Sequence, residues 1–276
     1  MTYKGKQIIF SDLDSTLLRN NHYFSKATKQ VVKDLYKKGV FLIPVTARST
    51  FDVITQAKRL GIDKIGGIAA ANNGSQIYDF KNKTWIVNEY LNNETVKIMF
   101  EEFFGKHKAK IHFYADDTTY VFNEGKMSLY WAQMMGTDYI AAHSFEEIKH
   151  KISHATIVLK KGTPTDEAKS MLKFIQDNFS EKNDVQVYTE RVIEICPKGI
   201  NKGSAVKNIC DYLNIGEEVV KYAFGDGPND FPMFEAVEVG VAMANAIQEL
   251  KSSADDVTEF SNEEDGVARY IYKNIL

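Results

Sequence analysis

The apolar run in IIFSDLDSTLL, residues 8–18, ends in two carboxylates one residue apart, Asp12 and Asp14. Like charges that close repel each other, and a fold gains no stability from them. Either they lie loose in a surface loop, or positive charge sits between them and the pair does chemistry. Three later segments carry complementary groups: Thr46, Ala47 and Arg48 in VTAR, Lys202 in GINKGSAV, and Asp226, Asn229 and Asp230 in GDGPND. Acids, a hydroxyl and a lysine together make an inventory for handling a phosphate with a divalent metal.

The chemistry explains the choice of residues. A phosphate ester reacts extremely slowly unaided, because its anionic oxygens repel nucleophiles. A carboxylate attacks phosphorus only where nearby positive charge cancels that repulsion. Mg²⁺, held by one or two carboxylates and the substrate's own oxygen, supplies such charge. Asp12 and Asp226 are the expected ligands, with the main-chain carbonyl of Asp14 as a third. Lys202 offers a point charge to a further phosphate oxygen. The Thr46 hydroxyl and backbone N–H groups around Asp14 cradle the rest. Asp12 is then a nucleophile that forms an aspartyl-phosphate. Asp14, with its carboxyl free, is the acid/base, and its neighbour's charge is expected to raise its pKa.

These groups converge only if they stand at the carboxyl ends of neighbouring parallel strands. KQIIFSDL reads as a buried strand, and SKATKQVVKDLYKKG as a helix capped by Ser25 and ended by Gly39. VFLIPVT is a second buried strand, in which Pro44 must fall where no ladder donor is needed. STFDVITQAKRLGI is a helix and GGIAAANNG a short third strand, a βαβαβ order that means a parallel sheet with right-handed crossovers. After residue 190 the same order resumes: helix NKGSAVKNICDYLNI, strand VVKYAFGDG, helix NDFPMFEAVE, strand GVAM and two further helical stretches. The expected fold is α/β, a doubly wound Rossmann-like core formed by residues 1–81 and 191–276. Residues 82–190 read as an inserted α+β cap of antiparallel strands and a few helices. Asn73-Gly74 reads as a turn.

Composition narrows the function classes. The 276 residues, 44% hydrophobic and 26% charged, suit a globular chain with one large or two modest cores. A net charge of −3 argues against a nucleic-acid surface. No signal-peptide pattern and no apolar run of roughly 18 residues is read, so no membrane partner and a cytoplasmic location are expected. Cys196 and Cys210 lack metal spacing and are expected as reduced core residues.

Taken together, DLDSTLL, VTAR, Lys202 in GINKGSAV, and GDGPND resemble the four motifs of the haloacid dehalogenase superfamily, in order. GVAMANA and KSSADDVTEFSNEEDGVA extend the resemblance to its Cof-type phosphatases, which carry a large cap between the second and third motifs. The resemblance implies Asp12 as nucleophile and metal ligand, Asp14 as acid/base and main-chain metal ligand, and Asp226 as metal ligand. It implies phosphate contacts from Thr46, Lys202 and Asn229, with Asp230, Ala47 and Arg48 in support and Asp230 serving the metal or orienting Lys202. Three departures stand out: Ser15 and Ala47 where the family usually has glycine, and Ala244 before Asn245 and Ala246 where the family reads GNA.

The expected activity is Mg²⁺-dependent hydrolysis of small phosphate esters, sugar phosphates foremost, by a monomer or weak homodimer. Two alternatives stay open. A phosphomutase or phosphotransferase would use the same site, and a non-catalytic phospho-acceptor module would lack the second acid and the cap. The absence of GxGxxG argues against a Rossmann dehydrogenase. In the cap, the aromatic residues His112, Phe113, Tyr114, Tyr120, Tyr130, Trp131 and Tyr188 are expected mostly in the core. The five histidines from His107 to His154 are expected to be solvated, and residues near Tyr188, Glu190 and Arg191 to read the substrate.

Overall fold

The computed structural model describes residues 3, 5–105, 109–126, 128–129, 138–160, 162–189 and 191–276. His107, Tyr130, Trp131 and Glu190 fall outside them. The chain divides into two compact units. One comprises Met1–Arg48, Val53–Val87 and Asn201–Leu276, and the other Ser49–Asp52 and Asn88–Ile200.

The first unit is built on a parallel sheet. Strand β1 (Gln7–Ser11) lies between β2 (Phe41–Pro44) and β12 (Val220–Gly225), followed outward by β13 (Val239–Ala242) and β14 (Asp256–Val257), all parallel. Ile8, Ile9 and Phe10 are buried, as an unbroken apolar run requires in a sheet covered on both faces. Pro44 ends β2, the edge strand of this sheet, where a missing N–H breaks no ladder. The chain runs from β1 to β2 on one side and returns to β12 on the other, so the sheet order reverses at β1. Ser11 sits in register with both Phe224 and Pro44. The carboxyl ends of β1, β2 and β12 therefore share one edge, and the crevice there is where such sheets take their ligands.

Helix α1 (Lys26–Lys37) opens with the Ser25 hydroxyl accepting a hydrogen bond from the Thr28 N–H, and Gly39 beyond its end stands at φ 75°. Its buried face is Thr28, Val31, Val32 and Leu35. The third predicted strand behaves differently from expectation. β3 (Ile68–Ala71) touches the parallel sheet through a single bridge, Val45 to Ala70, and pairs antiparallel with β4 (Gln76–Asp79). With β5 (Thr84–Asn88) these form a separate three-stranded sheet. The first unit thus runs on to Val87 before the insertion begins.

The second unit holds a six-stranded sheet in the order β10-β11-β9-β6-β7-β8: Asn183–Thr189, Val192–Pro197, His154–Leu159, Ala109–Tyr114, Thr119–Phe122 and Tyr139–Ala141. One face carries Ile111, Phe113, Tyr120, Phe122, Ile157 and Ile195, packed in one core with residues of the helices Asn93–Phe103 and Thr165–Phe179. The opposite face places His112, Tyr114, His154, Thr156 and Glu194 across neighbouring strands. Solvated histidines were expected here; His143 and His150 are exposed, but His112 and His154 are buried. Strand alternation explains this, since every second residue of β6 and β9 must point to this face. Both cysteines are free and buried. Among the described residues no helix is long and apolar enough to cross a membrane.

Candidate active site

Four strand-end or helix-start segments of the first unit supply the site. β1 delivers Asp12, whose N–H donates to the Phe224 carbonyl of β12 at 2.9 Å. The chain then turns sharply: Asp14 is extended and Ser15 lies at φ 55°, ψ 9°. This left-handed position is where the family's glycine would sit without strain; a serine costs ~1 kcal/mol or more there. The turn is held from outside by the Asn245 amide, which donates to the Ser15 carbonyl at 2.8 Å. Asn245 in ANA therefore keeps its place despite Ala244.

Helix α6 (Lys202–Leu213) begins at the lysine because Asn201 and Ser204 form a reciprocal cap, each side chain bonding the other's N–H at 2.9 and 3.0 Å. This aims Lys202 inward, where it is fully buried. A buried ammonium requires partners, and it has two: Asp12 Oδ1 and Asp230 Oδ1, each at 2.6 Å.

GDGPND closes the ring from the end of β12. The second oxygen of Asp230 accepts the N–H groups of Asp226 at 2.9 Å and Gly227 at 3.0 Å, folding the loop around it. Gly225 is required beneath this carboxylate, since a Cβ there would lie 2.4 Å from Asp230 Cγ. Asp226 accepts from the Thr16 hydroxyl at 3.0 Å. Asn229 is buried in the same turn.

From the end of β2, the Thr46 hydroxyl accepts the Arg48 N–H at 3.2 Å, and Ala47 between them is partly exposed. The buried Arg48 guanidinium holds Asp14 in a fork, Nε to Oδ2 and Nη2 to Oδ1, both at 2.6 Å. His22 Nδ1 lies 3.0 Å from that Nη2 and 3.3 Å from Asp14 Oδ1.

The charges interlock. Burial drives the Asp12 carboxyl well above the ordinary range, Lys202 pulls against it, and Asp230, Asp226 and Asp14 add to it. Burial and then Asp230 push Asp226 up to about 7, against Lys202 and the Thr16 hydroxyl. Burial alone would lower the Lys202 ammonium; the charges of Asp12 and Asp230 overcome it and hold it protonated. Asp14 departs from expectation. Burial would raise it, but the Arg48 hydrogen bonds and charge carry its carboxyl well below the usual range. The expected upward push from its acidic neighbours is outweighed by a guanidinium in direct contact.

Asp12, Asp226 and Asp230 place carboxylate oxygens within 4.8 Å of one another, a set that could hold a hard cation. Burial, and then the charge of their acidic neighbours, raises Asp12 and Asp226, and such an ion would relieve both. Both Asp230 oxygens are already engaged, by Lys202 and by two N–H groups, so Asp12 and Asp226 fit the ion better.

Direct contacts thus join Asp12, Lys202, Asp230 and Asp226, and a second cluster joins Asp14, Arg48 and Thr46. Thr16, in the loop after the first strand, was given no role from the sequence, and His22 was not singled out. Thr16 carries a weak signal, a hydroxyl four residues beyond Asp12. His22 sits in the polar stretch RNNHYFS with no periodicity to mark it.

The model of the haloacid dehalogenase-like hydrolase family matches residues 9–271. A Haemophilus influenzae protein provisionally named a phosphatase is 28% identical over 275 residues, covering 97% of each chain. The 5-amino-6-(5-phospho-D-ribitylamino)uracil phosphatase YwtE of Bacillus subtilis is 28% identical, covering 94% of this chain and 95% of its own. The crystal structure of a haloacid dehalogenase-like hydrolase from Bacteroides thetaiotaomicron shares the fold at a TM-score of 0.85 and 24% identity, over 98% of this chain and 99% of that one. The motifs in order, their convergence on one sheet edge and the match along nearly the whole chain agree: the chain belongs to the haloacid dehalogenase-like hydrolase family, as a phosphatase of the Cof type.

Proposed function

We propose that the protein is a Mg²⁺-dependent phosphomonoester hydrolase acting on small phosphorylated metabolites, sugar phosphates foremost, through an aspartyl-phosphate on Asp12. The observation that supports this best is the fully buried Lys202 ammonium, 2.6 Å from both Asp12 and Asp230, beside the Asp226 carboxylate. A structural ion pair needs one acid; a third carboxylate in the cluster is unfavourable unless a further cation arrives to share it.

Asp12, Asp226 and the main-chain carbonyl of Asp14 would hold Mg²⁺, which when bound neutralises the phosphoryl oxygens and keeps Asp12 ionised. Asp12 attacks phosphorus. Lys202, already fixed by Asp230, takes a phosphoryl oxygen as a point charge, and Thr46 and Asn229 donate to the others. Asp14 gives its proton to the leaving oxygen, then takes one from the water that frees Asp12. The Arg48 fork holds Asp14 in its ionised, base-ready form. The acid step therefore requires that fork to loosen and Asp14 to take up a proton from water as the ester arrives.

The test is turnover of p-nitrophenyl phosphate. Asp12→Asn should abolish it while leaving the fold intact, and excess EDTA should silence the wild type until Mg²⁺ is restored. Activity surviving either treatment would refute the corresponding role.

A further inference from the structure

The Asn73-Gly74 turn lies beside Thr46, and no step of the proposed reaction uses it. We infer that Asn73 is a positioning residue for Thr46: its main chain, held in a left-handed conformation, fixes the Thr46 carbonyl and with it the hydroxyl that takes a phosphoryl oxygen. The inference rests on the phosphate contact proposed for Thr46.

The end of β2 creates the need. Its ladder with β1 finishes where the Val45 N–H donates to the Ser11 carbonyl at 2.9 Å. Thr46, one residue on, is buried but lies beyond the parallel pairing. Its main chain is tied instead to residues 70–73: the Thr46 N–H donates to the Ala70 carbonyl at 3.1 Å, and the Asn73 N–H donates to the Thr46 carbonyl at 2.9 Å. The Asn72 N–H donates to the Arg48 carbonyl at 2.9 Å, so successive N–H groups grip the two carbonyls that flank Ala47. This grip keeps the Arg48 N–H on the Thr46 hydroxyl oxygen at 3.2 Å. A hydroxyl whose oxygen already accepts has its one proton left to donate, as a phosphoryl oxygen requires.

The backbone gives a second, independent reason. Ala71 and Gln76 stand in register in the antiparallel pair of β3 and β4, which two residues could close, yet residues 72–75 intervene. Asn72, Asn73 and Gly74 lie at φ 49°, 55° and 102°, three left-handed positions in a row, and both asparagines are fully buried. The loop is braced in this shape from within. The Ser75 hydroxyl donates to the Asn72 carbonyl at 2.8 Å, and the Asn72 amide donates to Gln76 Oε1 at 2.9 Å. Its other side packs on the helix that begins at Lys202: a Cβ on Gly74 would lie 2.7 Å from Ala205 Cβ and 3.2 Å from the Asn201 carbonyl. A connection longer and more strained than its hairpin needs is explained by what its N–H groups reach, the carbonyls beside the phosphate-binding hydroxyl.

Two variants, a double mutant and a wild-type measurement test this. Asn73→Gly and Asn73→Ala both delete the amide, but only glycine accepts φ 55° without strain. The readout is the inhibition constant of inorganic phosphate against p-nitrophenyl phosphate. Asn73→Ala should raise it about fivefold, the factor that left-handed strain at one residue is worth, and Asn73→Gly should stay within about twofold of wild type. Thr46→Val, which lacks the hydroxyl, should raise it about tenfold. Added to that variant, Asn73→Ala should cost less than about twofold more. General damage to the fold would multiply both backgrounds alike. Equal effects of Asn73→Gly and Asn73→Ala, or the same factor with and without the Thr46 hydroxyl, would therefore overturn the inference. Independently of folding in the variants, phosphate at about ten times its inhibition constant should slow hydrogen exchange at the wild-type Asn73 amide about tenfold. Unchanged exchange would also overturn it. A Thr46→Val enzyme with wild-type inhibition, or an active Asp12→Asn, would instead bring down the proposed function beneath it.

Discussion

Asp230→Asn changes almost no volume yet removes one of the two charges that keep Lys202 buried, so its effect isolates electrostatics from packing. Across 2.6 Å, a unit-charge attraction is ~6 kcal/mol at an effective dielectric of 20, much of it offset by desolvation. Removing one partner of a buried pair costs ~3–5 kcal/mol. Because Lys202 keeps Asp12, the lower end, ~3 kcal/mol, is expected. The amide also cannot accept from Lys202 and from both loop N–H groups as the carboxylate does. At about 2–4 °C per kcal/mol for a unit of this size, the melting midpoint should fall by roughly 6–12 °C, read by circular dichroism. A double-mutant cycle sharpens the assignment. Lys202→Met leaves Asp12 and Asp230 facing each other uncompensated, so on that background Asp230→Asn should be neutral or stabilising. A wild-type midpoint for Asp230→Asn, or simple additivity with Lys202→Met, would refute the claim that these charges form one unit.

Two more outcomes follow from buried groups. His154 is fully buried, has no hydrogen-bond partner among the described residues and stacks on Tyr114, and burial lowers its pKa from 6.5 to about 3, as it lowers that of His112 to about 4. The unfolded chain takes up protons below pH 6.5 while the native one does not, so this stability is present above pH 6.5 and lost as pH falls toward 3. At pH 5 each histidine should cost ~2 kcal/mol. His154→Phe should therefore make the change in unfolding free energy between pH 7 and pH 5 less destabilising than in wild type by ~2 kcal/mol; an unaltered pH dependence would contradict it. Gly225→Ala should destabilise by ~1–3 kcal/mol, since its Cβ would meet Asp230 Cγ at 2.4 Å, and a melting curve matching wild type would show that the loop yields freely.

Much of the core was readable because its elements have strong local causes. The β-branched runs ending in Asp12 and Asp226 became adjacent parallel strands, and Ser25 capped its helix as its position implied. β3 defied its apparent order because parallel and antiparallel pairing leave the same alternation in a short alanine-rich strand; only the partner strand decides. Strands β4 and β5, four and five residues long, are too short to show a period, and β5 lies within the range read as the cap. In the site, Lys202, Asp12 and Asp230 meet because three strand or helix ends coincide. The ionisation of Asp14 was not readable, since it depends on Arg48 folding back across a distance that a separation of 34 residues does not reveal. His22 was invisible for the same reason: a loop residue acquires meaning only from what the fold brings against it.

The central claim is that Asp12, not water, first bonds to phosphorus. Hydrolysis of a phosphate ester made chiral with oxygen isotopes, run in labelled water, tests it without requiring the intermediate to accumulate. Two successive in-line displacements, first by Asp12 and then by water, predict inorganic phosphate with net retention of configuration. Net inversion would mean a single displacement by water and would contradict the account.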